Sequence, residues 1–262
     1  MDHAIYTAMG AARQTLEQQS ITANNLANAS TPGFRAQLAA LRAVPVDGPA
    51  PGAGGRGGGP SLATRTLVAA STPGADMSQG ALNYTGRPLD VALQQDGFLA
   101  LSLPGGGEAY TRNGSIQVSA NGQLTVQGMP LQGDGGPIEV PPSAEITIAA
   151  DGTISALNPG DPPNTIAQIG RLKLVKADAR EVMRGDDGLF RLTPETQQRR
   201  GNLLANDPQV RVMPGVLEGS NVKPMETMVD MIANARRFEM QMKVIHSVDE
   251  NEQRANSLLS VS

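Results

Sequence analysis

The chain of 262 residues has no cysteine and no tryptophan. Without thiols, disulfides, Cys-ligated zinc and thiol catalysis are all excluded, while either redox compartment suits the chain. Only 3 Tyr and 4 Phe occur. Aromatic side chains dominate the energetics of cores and ligand pockets, so no deep aromatic-lined pocket is expected. Clustered positive charge is missing too: 21 Lys and Arg are dispersed among 25 Asp and Glu, for a net charge of -4. A nucleic-acid surface needs clustered basic residues. The pairs Arg199-Arg200 and Arg236-Arg237 are too short for that and read as solvated faces. No nucleic-acid partner is expected.

Long apolar runs are absent as well. No window approaches the ~20 apolar residues that cross a bilayer, so direct membrane insertion is not expected. The opening MDHAIYTAMGAARQTLEQQS lacks a charged region followed by an apolar run, and is no cleaved secretory signal. Those rules alone would place the chain in the cytosol. There is no nucleophile motif, no paired carboxylates in a groove context and no cofactor fingerprint. No catalytic residue, cofactor or metal ligand is assigned, and the chain is not expected to be an enzyme. His3 and His246 have no carboxylate cluster nearby and read as exposed side chains. Asp151, Asp161, Asp186 and Asp187 show no calcium-loop spacing and read as turn residues, as does the tripeptide Arg184-Gly185-Asp186.

What the chain does have is a helical period at both ends. Ile5, Met9, Ala12, Leu16, Gln19, Ala23 and Leu26 recur in a 4-3-4-3-4-3 spacing, which is a heptad seam. Pro32 and Gly33 stop it. A helix over roughly 3–29 is about 40 Å long, and its seam needs a partner to bury it. At the far end, Met225, Met228, Ile232, Ala235, Phe238, Met242, Ile245 and Val248 form a second stripe. Ser220 or Asn221 is a candidate cap, Pro224 suits a first turn, and Glu239–Lys243 and Glu250–Arg254 are favourable i,i+4 pairs.

Between the helices lies β-type sequence. Residues 47–60, DGPAPGAGGRGGGP, cannot bury enough apolar surface to offset their ordering entropy and read as a linker or loop. A phosphate-loop reading fails because no Gly-Lys-Ser/Thr ending follows. Alternating or short apolar runs at 89–93, 97–103, 109–119, 123–128, 145–157, 169–177 and 188–192 are punctuated by Asn113-Gly114, Asn121-Gly122, Asp134-Gly135, Asp151-Gly152 and Asp187-Gly188. Such pairs are hairpin signals, and many short strands suggest a sandwich or small barrel.

The expected fold class is therefore α+β: long terminal helices pairing antiparallel as a coiled coil, with an inserted all-β domain. The expected divisions are an N-terminal axial helix (1–33), an extended linker (34–81), a β-rich body (82–205), a second linker (206–219) and a C-terminal axial helix (220–262).

Three stretches resemble a known family. Ala23-Asn24-Asn25-Leu26-Ala27-Asn28-Ala29-Ser30-Thr31-Pro32-Gly33-Phe34-Arg35 is similar to the N-terminal signature of bacterial flagellar rod and hook proteins. Thr85-Gly86-Arg87-Pro88-Leu89-Asp90-Val91-Ala92-Leu93, then Asp96-Gly97-Phe98 and Tyr110-Thr111-Arg112-Asn113-Gly114-Ser115, resembles the start of their body domain. Gly215-Val216-Leu217-Glu218-Gly219-Ser220-Asn221-Val222, with Met231, Ile232, Arg236, Phe238, Glu239 and Lys243, resembles their C-terminal helix. Pro32, Arg35 and the stretch 71–77 point to a proximal rather than a distal rod member.

The resemblance implies a structural subunit of the flagellar basal-body rod, part of the drive shaft that passes torque from motor to hook. It implies export through the flagellar type III apparatus without a cleaved signal peptide, and assembly in the periplasm with other rod proteins and copies of itself. The expected subunit-interface residues are Ile5, Met9, Leu16, Asn24, Asn25, Leu26, Asn28, Met225, Met228, Ile232, Phe238, Met242 and Ile245. For the three asparagines, inter-subunit amide bonding that fixes register stands beside simple fraying of the helix end. The Met-rich stripe reads either as ordinary core or as adaptable packing at non-identical contacts. The alternatives are a distal rod or hook subunit, or, in another class, a secreted peptidoglycan-acting or carbohydrate-binding β protein.

Overall fold

A computed structural model describes residues 2–45, 66–160, 162, 165–185 and 187–259. The Gly/Pro-rich run 47–60, Asp161 and Asp186 lie outside these, as do the side chains of His3 and Ile5. The described residues fall into two compact units. One holds those within Met1–Leu26, Gln37–Pro73 and Pro224–Ser262, the other those within Ala27–Ala36 and Gly74–Lys223.

In the first unit, helix α1 runs over Asp2–Ala27. It stops ahead of Pro32, and Gly33 follows with a positive φ of 68°, a region open to glycine at little cost. At the other end of the chain Pro224–Leu259 forms a single helix of 36 residues, about 54 Å long at 1.5 Å per residue; it is α3 here, since a short helix precedes it. Pro224 is its first residue, where the missing N–H costs nothing.

The extended linker expected over 34–81 is in part a sheet: Gln37–Pro45 and Thr66–Ala75 pair as two strands. Two extended segments close in sequence satisfy their backbone groups by pairing, a gain that composition does not advertise.

The second unit is built on a five-stranded antiparallel sheet in the order Leu174–Lys176, Gly97–Ser102, Glu108–Thr111, Phe190–Leu192, Val182–Arg184. Its second strand, GFLALS, is buried on both faces. Leu99 and Leu101 enter one apolar cluster with Val91, Leu124, Ile154 and Leu172. Phe98 and Ala100 enter another with Tyr110, Val175, Phe190 and Leu204. Burial on both faces explains why this strand reads as an unbroken apolar run, not an alternating one. Smaller sheets surround it, among them Glu145–Ile148, Thr153–Leu157 and Ala167–Arg171. The body is therefore several small sheets and no single sandwich or barrel.

Four of the expected X-Gly turns join paired strands: Asn121-Gly122, Asp134-Gly135, Asp151-Gly152 and Asp187-Gly188. Asn113-Gly114 does not, because the strands on either side of it belong to different sheets. Gly114 is small for another reason: a Cβ there would run into the Val91 carbonyl oxygen.

The expected β body also contains helix α2, Pro194–Arg200, with Thr193 as its N-cap accepting from the Thr196 amide at 3.3 Å. The expected linker over 206–219 is likewise structured. Val212–Pro214 pairs with Val91–Leu93, and Val216–Glu218 with Leu82–Tyr84. Val210 and Val212 are fully buried, so apolar burial holds this stretch to the body.

Candidate subunit interface

Polar side chains join the two long helices. Asn234 Nδ2 donates to Thr22 Oγ1 at 3.4 Å, and the Thr15 hydroxyl shares its proton between Ala11 O at 2.9 Å and Gln241 Oε1 at 3.1 Å. Seven residues forward on α1 correspond to seven residues back on α3, so the helices run antiparallel. On α1 the buried side chains are Ala8, Ala12 and Thr15; Gln18, Gln19 and Thr22 are half-buried. On α3 Asn234 is buried, and Thr227, Met231, Phe238, Gln241, Ile245 and Val248 are half-buried in an unbroken 4-3-4-3 rhythm around it. Gln19 Oε1 is buried in this seam with no hydrogen-bond partner.

Many bulky apolar residues face the other way. Met9 and Leu16 are 54% and 53% exposed, and Met225 and Ile232 are 75% and 56% exposed. Met228 and Met242 join them, with Val229, Met240 and Val244. Of the expected interface set, Leu26, Phe238 and Ile245, with Asn25 and Asn28, are half-buried, and the side chain of Ile5 lies outside the described residues. The heptad read on α1 shares Ala12, Gln19 and Leu26 with the inner face but turns Met9 and Leu16 outward. The inner stripe of α1 is marked by Ala and Thr, so Met9 and Leu16 of the expected set fall on its outward stripe.

Asn25 is spent inside the chain. Its amide donates to Gln37 O at 2.9 Å and its carbonyl accepts from Gln37 N at 2.8 Å, clasping the first residue of a strand. Asn28 Oδ1 accepts from the Thr31 hydroxyl at 3.2 Å, which orders the turn after α1, and Asn24 is exposed.

The second unit holds a buried charge cluster built from all three signature stretches. Glu218 lies between two arginines: Arg35 Nη2 is 2.6 Å from its Oε1 and Arg112 Nη2 is 2.8 Å from its Oε2. All three side chains are at most 2% exposed. Arg112 also donates to the carbonyls of Leu93, Gln95 and Gly97. Arg35 Nη1 donates to Ser78 O, and Gly80 N donates to Glu218 Oε1 at 3.0 Å. Two buried guanidinium groups share one carboxylate, and Arg35 Nε has no partner. Burial first, and the charge of Arg112 second, hold Arg35 down to about 10 against the pull of Glu218.

Backbone bonds tighten the same place. Gly33 N donates to Glu218 O, Asp76 N to Ala36 O, and Asn221 N to Phe34 O. The Asn221 side chain accepts from Ala36 N at 2.7 Å and donates to Asp76 O at 2.9 Å, so Asn221 is a clasp and not the expected helix cap. Arg184 stacks 3.9 Å over the Phe34 ring; it serves packing in this turn. The residues that follow α1 in the chain and those that precede α3 are thus tied into one junction. Arg35, Arg112 and Glu218 stood in the signature stretches with no role assigned. The available signal was a charged residue among glycine and apolar neighbours at Arg35 and Glu218; Arg112, between Thr111 and Asn113, carried none.

Among the described residues no group of three or more His, Asp or Glu side chains could hold a metal ion. No described helix is long and apolar enough to cross a membrane. What stands out is a pair of outward apolar helix faces and a charge-locked junction, the build of a structural subunit. Residues 5–35 match the family described as flagella basal body rod protein, residues 92–156 the flagellar hook protein FlgE/F/G D1 domain, and residues 213–258 the flagellar basal body rod FlgEFG protein C-terminal family. The chain is 72% identical to flagellar basal-body rod protein FlgF of Salmonella typhimurium, across all of both chains, and 70% identical to FlgF of Escherichia coli over the same extent. A flagellar basal-body rod protein FlgG of Buchnera aphidicola is 32% identical over 91% of this chain and 93% of its own. The chain belongs to the flagellar basal-body rod proteins, and is a structural protein, not an enzyme.

Proposed function

We propose that the chain is a subunit of the proximal rod, in which α1 and α3 pair as an antiparallel coiled coil and bury their outward faces against neighbouring subunits. The observation that carries this is the apolar surface that the helix pair leaves exposed. Its inner seam sets small and polar side chains of α1 against the half-buried stripe of α3, while Met9, Leu16, Met225, Met228, Ile232 and Met242 point away from it. Exposed large apolar side chains gathered on two helices are what an interaction site presents. The neighbours are other rod proteins and copies of the chain itself, meeting in the heterologous, helical manner that builds an open filament. Seams buried between subunits make a stiff tube that passes torque. Export through the flagellar type III apparatus without a cleaved signal peptide, and assembly in the periplasm, complete this reading. Full-length likeness to two FlgF proteins at 70–72%, against 32% for a FlgG, favours the proximal over the distal position.

The test is a strain whose copy carries Leu16→Asp and Ile232→Asp. Both side chains are outward, so the chain should fold and be exported while the rod stops short of the hook. Complete, motile flagella would overturn the reading.

A further inference from the structure

Five of the 11 methionines lie exposed on the two long helices: Met9, Met225, Met228, Met240 and Met242. Met231 is half-buried on the inner face of α3, and Met77 and Met129 pack against the apolar clusters of the second unit. The chain has no cysteine, so a thiol cannot take an oxidant first. Thioether oxidation follows exposure, and it turns a flexible apolar side chain into a polar one.

We propose that these five methionines are an oxidation-sensitive site, at which a peroxide-class oxidant converts the unassembled subunit into a form barred from docking. This rests on the assembly reading of the outward helix faces. In the step, the thioether sulfur attacks one peroxide oxygen and the O–O bond breaks as the S–O bond forms. The sulfur loses two electrons, and the other oxygen takes a proton and leaves as water. The sulfoxide oxygen must then be desolvated wherever the face is covered. Once a neighbour covers the face, the sulfur is shielded, so sensitivity belongs to the subunit in transit. A sulfoxide reductase with a thiol donor reverses the change.

Two experiments test this. The purified full chain is treated with hydrogen peroxide and each methionine followed by peptide mass spectrometry. The five should oxidise about tenfold faster than Met77 and Met129; equal rates overturn the proposal. In a strain lacking its own copy, the wild-type chain, a fivefold Met→Leu variant and a fivefold Met→Gln variant are then induced with and without peroxide. The Leu variant should swim at peroxide levels that stop wild type. Equal sensitivity of those two overturns the proposal and leaves the interface reading standing. A Gln variant that swims normally without peroxide overturns the interface reading itself. If the fivefold Leu variant does not fold, Met225→Leu alone is compared with wild type by the same criteria.

Discussion

At Glu218 one carboxylate answers two buried guanidinium groups, and Asp76 acts on Arg35 only as a weaker, secondary charge. Replacing Glu218 by Gln keeps the volume but takes the paired carboxylate from both buried guanidinium groups, leaving Arg35 only the weaker attraction of Asp76. Removing one partner of a buried ion pair costs about 3–5 kcal/mol. Glu218→Gln should therefore lower the denaturant midpoint of the second unit by that order, whereas Glu181→Gln should cost under about 1 kcal/mol, because its partner Arg200 is half exposed. Tyr110 supplies a second test of the same kind. Its hydroxyl donates to Glu108 Oε2 at 3.2 Å and accepts from Leu204 N at 2.9 Å. Burial, chiefly, pushes it up to about 12. The folded chain then keeps a proton that the unfolded chain has lost, so this contribution is whole below pH 10 and drains away between about 10 and 12. Arg35 runs the opposite way over that range, since it sheds its proton earlier when folded. Alkaline denaturation of wild type against Tyr110→Phe separates the two: the wild-type chain should lose roughly 2–3 kcal/mol more across the range than the variant.

At the scale of elements, the helix pair is held by a seam whose α1 side is small and polar. Thr and Gln gain little net free energy from hydrogen bonds that replace bonds to water, and an unpaired buried acceptor costs about 1–3 kcal/mol. Gln19 Oε1 is such an acceptor. Gln19→Leu should raise the melting temperature of helical circular dichroism in the isolated chain, and a fall would show that the seam needs its polarity. The existence and extent of both helices were legible from period and from Pro32 and Pro224. Their inner faces were not. Side-chain volume marks the stripe that wants burial somewhere, and only the three-dimensional pairing says whether the partner is the same chain. In the body the hairpins at Asn121-Gly122 and Asp151-Gly152 were equally legible, because those turns are local. The strands near 214 and 217 were not: they depend on partners nearly 120 residues away or farther. The junction escaped for the same reason, being three charges that meet only when distant stretches fold together.

Over the whole molecule, the contrast between the two units has a thermodynamic consequence. The second unit carries two apolar clusters with many side chains at or near zero exposure and a locked junction. In the first, the described hydrogen bonds between α1 and α3 join polar side chains, the inner face of α3 is only half-buried, and much apolar surface faces outward. Helices of this length draw their stability from packing, not from propensity, so the unassembled first unit should be the less stable of the two. Calorimetry of the purified chain should accordingly show two transitions, with the loss of helical signal preceding loss of the β signal. Anything that covers the outward faces binds the folded helices and not the melted ones, and by mass action raises only the first transition. A rod partner that leaves both transitions where they were would mean that the faces are not its docking surface. A single transition shared by helical and β signals would mean that the junction couples the helices to the body more tightly than their own packing couples them to each other.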